Sequence, residues 1–434
     1  MGCKFHPPPL TARNDHNPTD ETTTKYGMQD NGRRVIEVPE FLTSVAYTLS
    51  IRKRCVLMLV SKHVFHSVGP TVWRSVPRLD IMFRLIKGTK TTTQNFRDTE
   101  GIHPSYSQIT TVMPLNPGLD RYYVYAPWVQ ELEIFGGRAQ EIRNLNSFLA
   151  LLEGRPPLPN LRRLTTYTGA DIGSREMMGF INTFISPSLI EIRTIIHEKG
   201  LNSYVHPSLV PAFLQKLKGT CPRIQVLEFY PESAYDCPEG YKPSPQCQTI
   251  LWSFTNLRSF SSTVYILESA TFAIMGSLPH LELLGIRGFW TEDPVLDEQL
   301  SVPGTWFPAL KTLQLWDVHP QDIKLLWNHP PVVKGLVSAW IQTDPTSTPD
   351  RSDPPMDGDS WIEQFLAALP QLSPSLQDLT FYVGDEDGRV FHISEDVRNG
   401  LRRLGLKNVK LRLNNTYGAD SDSEGEGYDE ENYI

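Results

Sequence analysis

Cysteine is scarce in this chain, and its placement excludes two classes of fold. Five cysteines occur in 434 residues: Cys3, Cys55, Cys221, Cys237 and Cys247. The number is odd, the spacing irregular, and no CxxC or Cys/His pattern is formed, so neither a disulfide scaffold nor a zinc module is expected. Reduced thiols suit a cytoplasmic or nuclear protein. Long apolar runs are also missing. The longest, Cys55 to Val60, falls far short of the ~20 residues of a membrane-spanning helix. The opening residues Met1 to Pro9 contain no signal-peptide core. Gly2 is followed at position 6 by His6 rather than Ser or Thr, which argues against acylation. No membrane partner is therefore expected. A cationic excess is absent as well. The formal net charge is −8, and Tyr417 to Ile434 alone holds seven acidic residues and no Lys or Arg, leaving the rest near neutrality. That argues against a nucleic-acid partner, which demands many Lys and Arg contacts to phosphate.

Catalytic signatures are missing too. There is no GxSxG, no P-loop and no GxGxxG. Asp385-Glu386-Asp387-Gly388 lacks the ligand spacing of a calcium loop, and Asp387-Gly388 reads instead as a hairpin turn. His63 and His66 lie three apart on one helix without a third ligand in view. The chain is expected to be no enzyme, with no metal and no cofactor.

What the chain does contain is a repeat. From Pro127 onward a Pro is followed by hydrophobes two, five and seven residues later. The copies are Pro127-x-Val129-x-x-Leu132-x-Ile134, Pro159-x-Leu161-x-x-Leu164-x-Thr166, Pro187-x-Leu189-x-x-Ile192-x-Thr194 and Pro222-x-Ile224-x-x-Leu227-x-Phe229. They continue with Thr255-x-Leu257-x-x-Phe260-x-Ser262, Pro279-x-Leu281-x-x-Leu284-x-Ile286, Pro308-x-Leu310-x-x-Leu313-x-Leu315 and Pro374-x-Leu376-x-x-Leu379-x-Phe381. The long gap after Pro308 predicts a degenerate copy near Pro331 to Ile341, and Val409-x-Leu411-x-Leu413 predicts a closing strand. The alternating pair in each copy is a strand signal. Helical patterns lie between copies, around Phe148, Phe180, Phe213 and Phe365; the last follows a candidate capping box, Ser360-Trp361-Ile362-Glu363. One strand and one helix per repeat predict a leucine-rich-repeat type solenoid. Tyr235 to Cys247 and Gln342 to Asp359 read as surface insertions.

The register suggests a binding surface. If the aligned hydrophobes face the core, the residue after each motif faces the concave side. That column reads Phe135, Tyr167, Ile195, Tyr230, Thr263, Arg287, Trp316 and Tyr382. Aromatics and Arg are typical interface anchors, so Phe135, Tyr167, Tyr230, Arg287, Trp316 and Tyr382 are the candidate substrate contacts. A register slip by one would put these rings in the core instead.

Ahead of the repeats, three short amphipathic segments are packed into residues 38–76. Pro39 suits a first helical position. Phe41, Leu42, Val45 and Leu49 follow at helical spacing, Val56, Leu59, Val60 and Phe65 form a second apolar side, and Gly69-Pro70 is expected to break the chain before Val72-Trp73. A fourth amphipathic segment runs from Leu79 to Ile86. A unit this small buries too little core to stand alone. It reads as a docking module.

This segment resembles an F-box, and the whole chain is similar to the F-box-like, leucine-rich-repeat proteins of mushroom-forming fungi. The resemblance rests on Val38-Pro39-Glu40, on Leu42, Val45 and Leu49, on Val60-Ser61-Lys62, on Phe65 and on Val72-Trp73-Arg74. Pro114-Leu115-Asn116-Pro117 through Tyr125-Ala126 also resembles the family's junction before the repeats. Val38, Ser61 and Phe65 depart from the family's Leu, Cys and Trp. The resemblance implies a substrate receptor of an SCF (Skp–cullin–F-box) ubiquitin ligase. The Skp adaptor and its cullin core would dock on Val38, Pro39, Phe41, Leu42, Val45, Leu49, Val60, Phe65, Val72 and Trp73, and the repeats would hold a protein substrate. The alternative is an interaction scaffold with no ligase role. The expected layout is α/β: residues 1–32 disordered, a helical module at 33–87, a linker at 88–118, the solenoid at 119–413, and an acidic disordered tail at 414–434, where Ser421 and Ser423 each precede a Glu by three.

Overall fold

A computed structural model describes residues 38–96, 106–134, 139–168, 174–196, 205–231, 241–288, 294–343, 358–384, 393–404 and 406–415. The expected disordered ends, the Asp387-Gly388 hairpin and most of the insertion at 342–359 lie outside the described residues. The chain forms two compact units, one up to Val72 and one from Trp73 onward.

In the first unit the three expected helices are present: α1 (Pro39–Tyr47), α2 (Ile51–Leu57) and α3 (Lys62–Trp73), the last of which runs one residue into the second unit. Pro39 opens α1, where its missing N–H costs nothing. The Ser61 hydroxyl accepts from the Val64 N–H at 3.1 Å and so caps α3, a role for which Ser is among the best residues. The expected break at Gly69-Pro70 is corrected: Pro70 lies inside α3. It forfeits only the bond to the carbonyl of His66, and the helix ends within its next turn. The buried apolar set of the described unit is small: Leu42, Ala46, Met58, Val64 and Val68. Arg54 supplies a polar clamp. Its guanidinium donates to the carbonyls of Leu49 (2.9 Å), Tyr47 (3.3 Å) and Thr71 (3.3 Å), tying the ends of α1 and α3, and it sits over the Tyr47 ring.

The second unit is built on a parallel sheet of eleven strands. In order these are β1 (Ser75–Val76), β4 (Glu131–Ile134), β6 (Arg163–Thr168), β7 (Glu191–Ile196), β8 (Val226–Glu228), β9 (Ser259–Thr263), β10 (Leu283–Arg287), β11 (Thr312–Trp316), β12 (Ser338–Thr343), β13 (Asp378–Gly384) and β14 (Asn408–Asn415). The eight motif copies fall on eight of these strands, the degenerate copy is β12, and the closing strand is β14. Strand follows strand in chain order, as stacked repeats require.

Each motif position has a physical job. The first hydrophobe (Val129, Leu161, Leu189, Ile224, Leu257, Leu281, Leu310, Leu376) is buried in the turn ahead of its strand. The next two face inward with it, against the helices. Thr166, Thr194 and Ser262 stand at inward positions and are buried as well. They are tolerated because their hydroxyls bond the neighbouring strand: Thr166 to Thr194 (3.2 Å), Thr194 to the Glu228 carbonyl (3.1 Å), Ser262 to the Phe229 carbonyl (2.6 Å). The turns are stitched as well. The Asn160 amide donates to the Pro127 carbonyl, the Ser188 hydroxyl to Pro159, and the Asn256 amide to Pro222, each reaching the repeat before it.

Four further expectations are corrected. Residues 88–118 are no bare linker: β2 (Lys90–Phe96) and β3 (Tyr106–Val112) pair antiparallel, and β5 (Ala139–Arg143) adds in parallel to β3. Ile109, Thr111 and Met113 are buried at a period of two, the strand signal that the surrounding polar residues mask. The module boundary at 87 also moves. Val76, Leu79, Met82, Phe83, Leu85 and Ile86 belong to the solenoid core, with the Phe83 ring edge-on to Phe148 at 5.5 Å. Finally, the insertion at Tyr235–Cys247 is partly core: Tyr241 and Cys247 are buried, and a helix starts at Pro245. The helix over Ile362 begins at Gly358, so Ser360 sits inside its first turn rather than at its cap. No described helix is long and apolar enough to cross a membrane.

Candidate functional site

Two surfaces qualify, one in each unit. In the first, apolar side chains face outward in unusual number. Val38, Phe41, Tyr47, Ile51, Val56, Leu59 and Val60 make up seven of the thirteen exposed large apolar side chains among the described residues. Phe41 is 45% exposed and Val60 67%. The sequence explains this. The helix α2 carries Arg52-Lys53-Arg54 and buries nothing, so Ile51 and Val56 have no core to join. Scattered single exposures are ordinary; a run of them within one small unit makes it a candidate interaction surface.

The ten expected adaptor contacts therefore divide. Val38, Pro39, Phe41 and Val60 are exposed, while Val45, Leu49, Phe65 and Val72 are half-buried. Leu42 is buried among the module's own core and holds α1 in place rather than offering a contact. Trp73 is half-buried and falls in the second unit, packed on Tyr125 with ring centroids 4.6 Å apart. Tyr47 and Ile51 were missed because each sits at a helix end, where the apolar spacing gives no direction.

The second surface is the outward face of the sheet. Its half from β4 to β8 is closed by charge. Arg74, Glu131, Arg163, Glu191, Arg193 and Glu228 alternate in sign across neighbouring strands. The tightest contact is Arg163 to Glu191, at 2.7 Å. Burial pushes the Glu191 carboxyl up, but the hydrogen bond and charge of Arg163, with Arg193, bring it below the usual carboxylate range. Glu228 is raised, because burial outweighs Arg193 and the bond from the Thr194 N–H. These groups satisfy one another and leave little for a ligand.

The half from β10 to β13 differs. Here Arg287, Gln314, Trp316, Trp340, Gln342 and Tyr382 line the outward face, all half-buried. Trp340 and Tyr382 lie 5.4 Å apart. Gly285 provides the floor beneath the Trp316 ring: a Cβ there would lie 3.2 Å from its Cζ3. Of the expected column, Arg287, Trp316 and Tyr382 are thus brought to one patch. Tyr230 is not, being only 6% exposed; the Val205 N–H donates to its carbonyl. Thr263 is likewise buried. Phe135 lies outside the described residues, as do the side chains of Tyr167 and Ile195. Trp340 was missed because the degenerate copy lacks the motif spacing that would have aligned it.

Among the described residues no cluster of His, Cys, Asp or Glu is placed to hold a metal. Cys221 and Cys247 are buried thiols, and burial pushes Cys221 up to about 11, which makes it inert as a nucleophile. Compared with models of known protein families and with curated proteins, the chain matches none.

Proposed function

We propose that this chain is a non-catalytic receptor that joins two proteins, docking an adaptor through α1 and α2 and holding a second protein on the outward face of the solenoid. The observation that carries this reading is the outward set Val38, Phe41, Ile51, Val56, Leu59 and Val60 on a unit with five buried apolar side chains among its described residues. A unit of this size gains stability by covering such a surface, and a standard protein interface of about 1,600 Å² would suffice. The resemblance of residues 38–76 to an F-box names the adaptor as the Skp subunit of a cullin ubiquitin ligase. The chain would then contribute proximity rather than chemistry, raising the effective concentration of substrate lysines near the charged ubiquitin carrier.

The test is affinity purification of the full chain from cells, followed by mass spectrometry. Skp adaptor and cullin among the captured proteins support the receptor reading. Partners captured with no ubiquitin machinery favour a plain scaffold and overturn the ligase role.

A further inference from the structure

One edge of the eleven-stranded sheet is lined by exposed cations. The strands run parallel, so all begin at this edge. The residues just ahead of them are stitched together by backbone bonds: Arg162 N–H to Gln130, Arg258 to Gln225, Lys311 to Glu282, Lys407 to Gln377. Exposed on this edge are Arg162, Arg223, Arg258, Lys311, Lys334 and Lys407. Arg258 is paired with Glu282 at 2.9 Å. The other five have no ion-pair partner among the described residues. Lys410, one turn of the pleat further along β14, is also exposed.

We propose that residues 416–434 of the same chain dock on this basic edge, at Lys311, Lys334, Lys407 and Lys410. Charge complementarity is the first argument. That stretch carries Asp420, Asp422, Glu424, Glu426, Asp429, Glu430 and Glu431 and no cation. Reach is the second. The stretch starts where β14 ends, at Asn415, on the opposite edge of the sheet. Returning along β14 to its beginning takes about 27 Å, at 3.3 Å per residue. Lys311 stands three strands from Lys407, about 14 Å at the usual strand spacing. The direct path to Lys311 is therefore about 30 Å. Extended chain reaches Glu424 at about 30 Å and Glu431 at about 53 Å, so the carboxylates from Glu424 onward reach Lys311, while Asp420 reaches no further than Lys410. Each exposed pair is weak alone. Tethering compensates, because a short linker holds the acidic stretch at an effective concentration in the millimolar range. The contact would shield the edge from any other acidic polypeptide, so the stretch acts as a built-in competitor.

Zero-length carbodiimide cross-linking of the full chain tests this, since it joins Lys amines to carboxylates already in contact. The expected products link the carboxylates between Asp420 and Glu431 to Lys311, Lys334, Lys407 or Lys410. Their yield should not change with protein concentration, should fall severalfold between low and high salt, and should vanish in the variant Lys311→Gln/Lys334→Gln/Lys407→Gln/Lys410→Gln. These four side chains are exposed, so the variant retains its fold, checked by circular dichroism. Links spread evenly over other lysines, links that grow with protein concentration and so mark a second copy, or no links at all would each overturn the proposal.

Discussion

Replacing Gly285 by alanine probes how closely the outward face is fitted. A Cβ at this position would lie 2.4 Å from Ser261 Oγ, 2.9 Å from Ser261 Cβ and 3.2 Å from Trp316 Cζ3. Ser261 is buried and stands directly opposite Gly285 in the β9–β10 register. Its hydroxyl can rotate away, but its Cβ is fixed to the strand. The two strands must therefore part locally, or the Trp316 ring must lift. Overpacking of this kind costs about 1–3 kcal/mol. A repeat array opens locally, so hydrogen exchange reads the effect better than a global melting point. Amides of β9 and β10 should exchange roughly ten- to a hundredfold faster in Gly285→Ala, the equivalent of that cost. Adding Ser261→Gly removes the worst contact and should restore at least half of the lost protection, measured against Ser261→Gly alone. Trp316 keeps the rescue partial. Wild-type exchange in Gly285→Ala, or an equal loss in both backgrounds, would refute the packing described.

Two further expectations follow from buried polar groups. Arg54→Met removes three carbonyl partners from the helix ends of the module. It should destabilise that unit by about 1–3 kcal/mol, seen as faster exchange across residues 39–72 with the solenoid amides unchanged. Asp322 is buried, and burial raises its carboxyl to about 6 despite the N–H groups of Val295 and Leu296, which donate to it at 2.8–3.1 Å. A folded value above the unfolded one means that the stability this group contributes is complete below about pH 4 and is lost as pH rises through 6, roughly 3 kcal/mol for two units. In Asp322→Asn the difference in unfolding temperature from wild type should change between pH 4 and 7 in that direction; a difference independent of pH would contradict the assignment.

The fold was legible because its core repeats. Eight copies of one spacing fixed strands, direction and stacking, and even the degenerate copy could be placed from the gap it filled. Residues whose surroundings come from elsewhere in the chain were harder. Trp73 follows Val72 at the end of a helix, yet its ring packs on Tyr125, about fifty positions away. Tyr230 shares its column with Trp316 and Tyr382, but it is buried. Nothing local distinguishes these cases, since burial on the outward face depends on what each loop brings back across the sheet. Thr111 illustrates the reverse: its alternation with Ile109 and Met113 was present in the sequence, but the polar residues of its three-stranded sheet dilute it.

The central claim is that residues 38–60 present an adaptor-binding surface. Calorimetric titration of the full chain with purified Skp adaptor, for wild type and for Phe41→Asp/Val60→Asp, tests it most directly. Both side chains are exposed, so the double variant keeps its fold while placing two charges in the interface core, where they are strongly unfavourable. Saturable binding by wild type and a loss of at least about a hundredfold in the variant, roughly 2.7 kcal/mol, is the expected result. No binding by wild type, or equal binding by both, would contradict the claim.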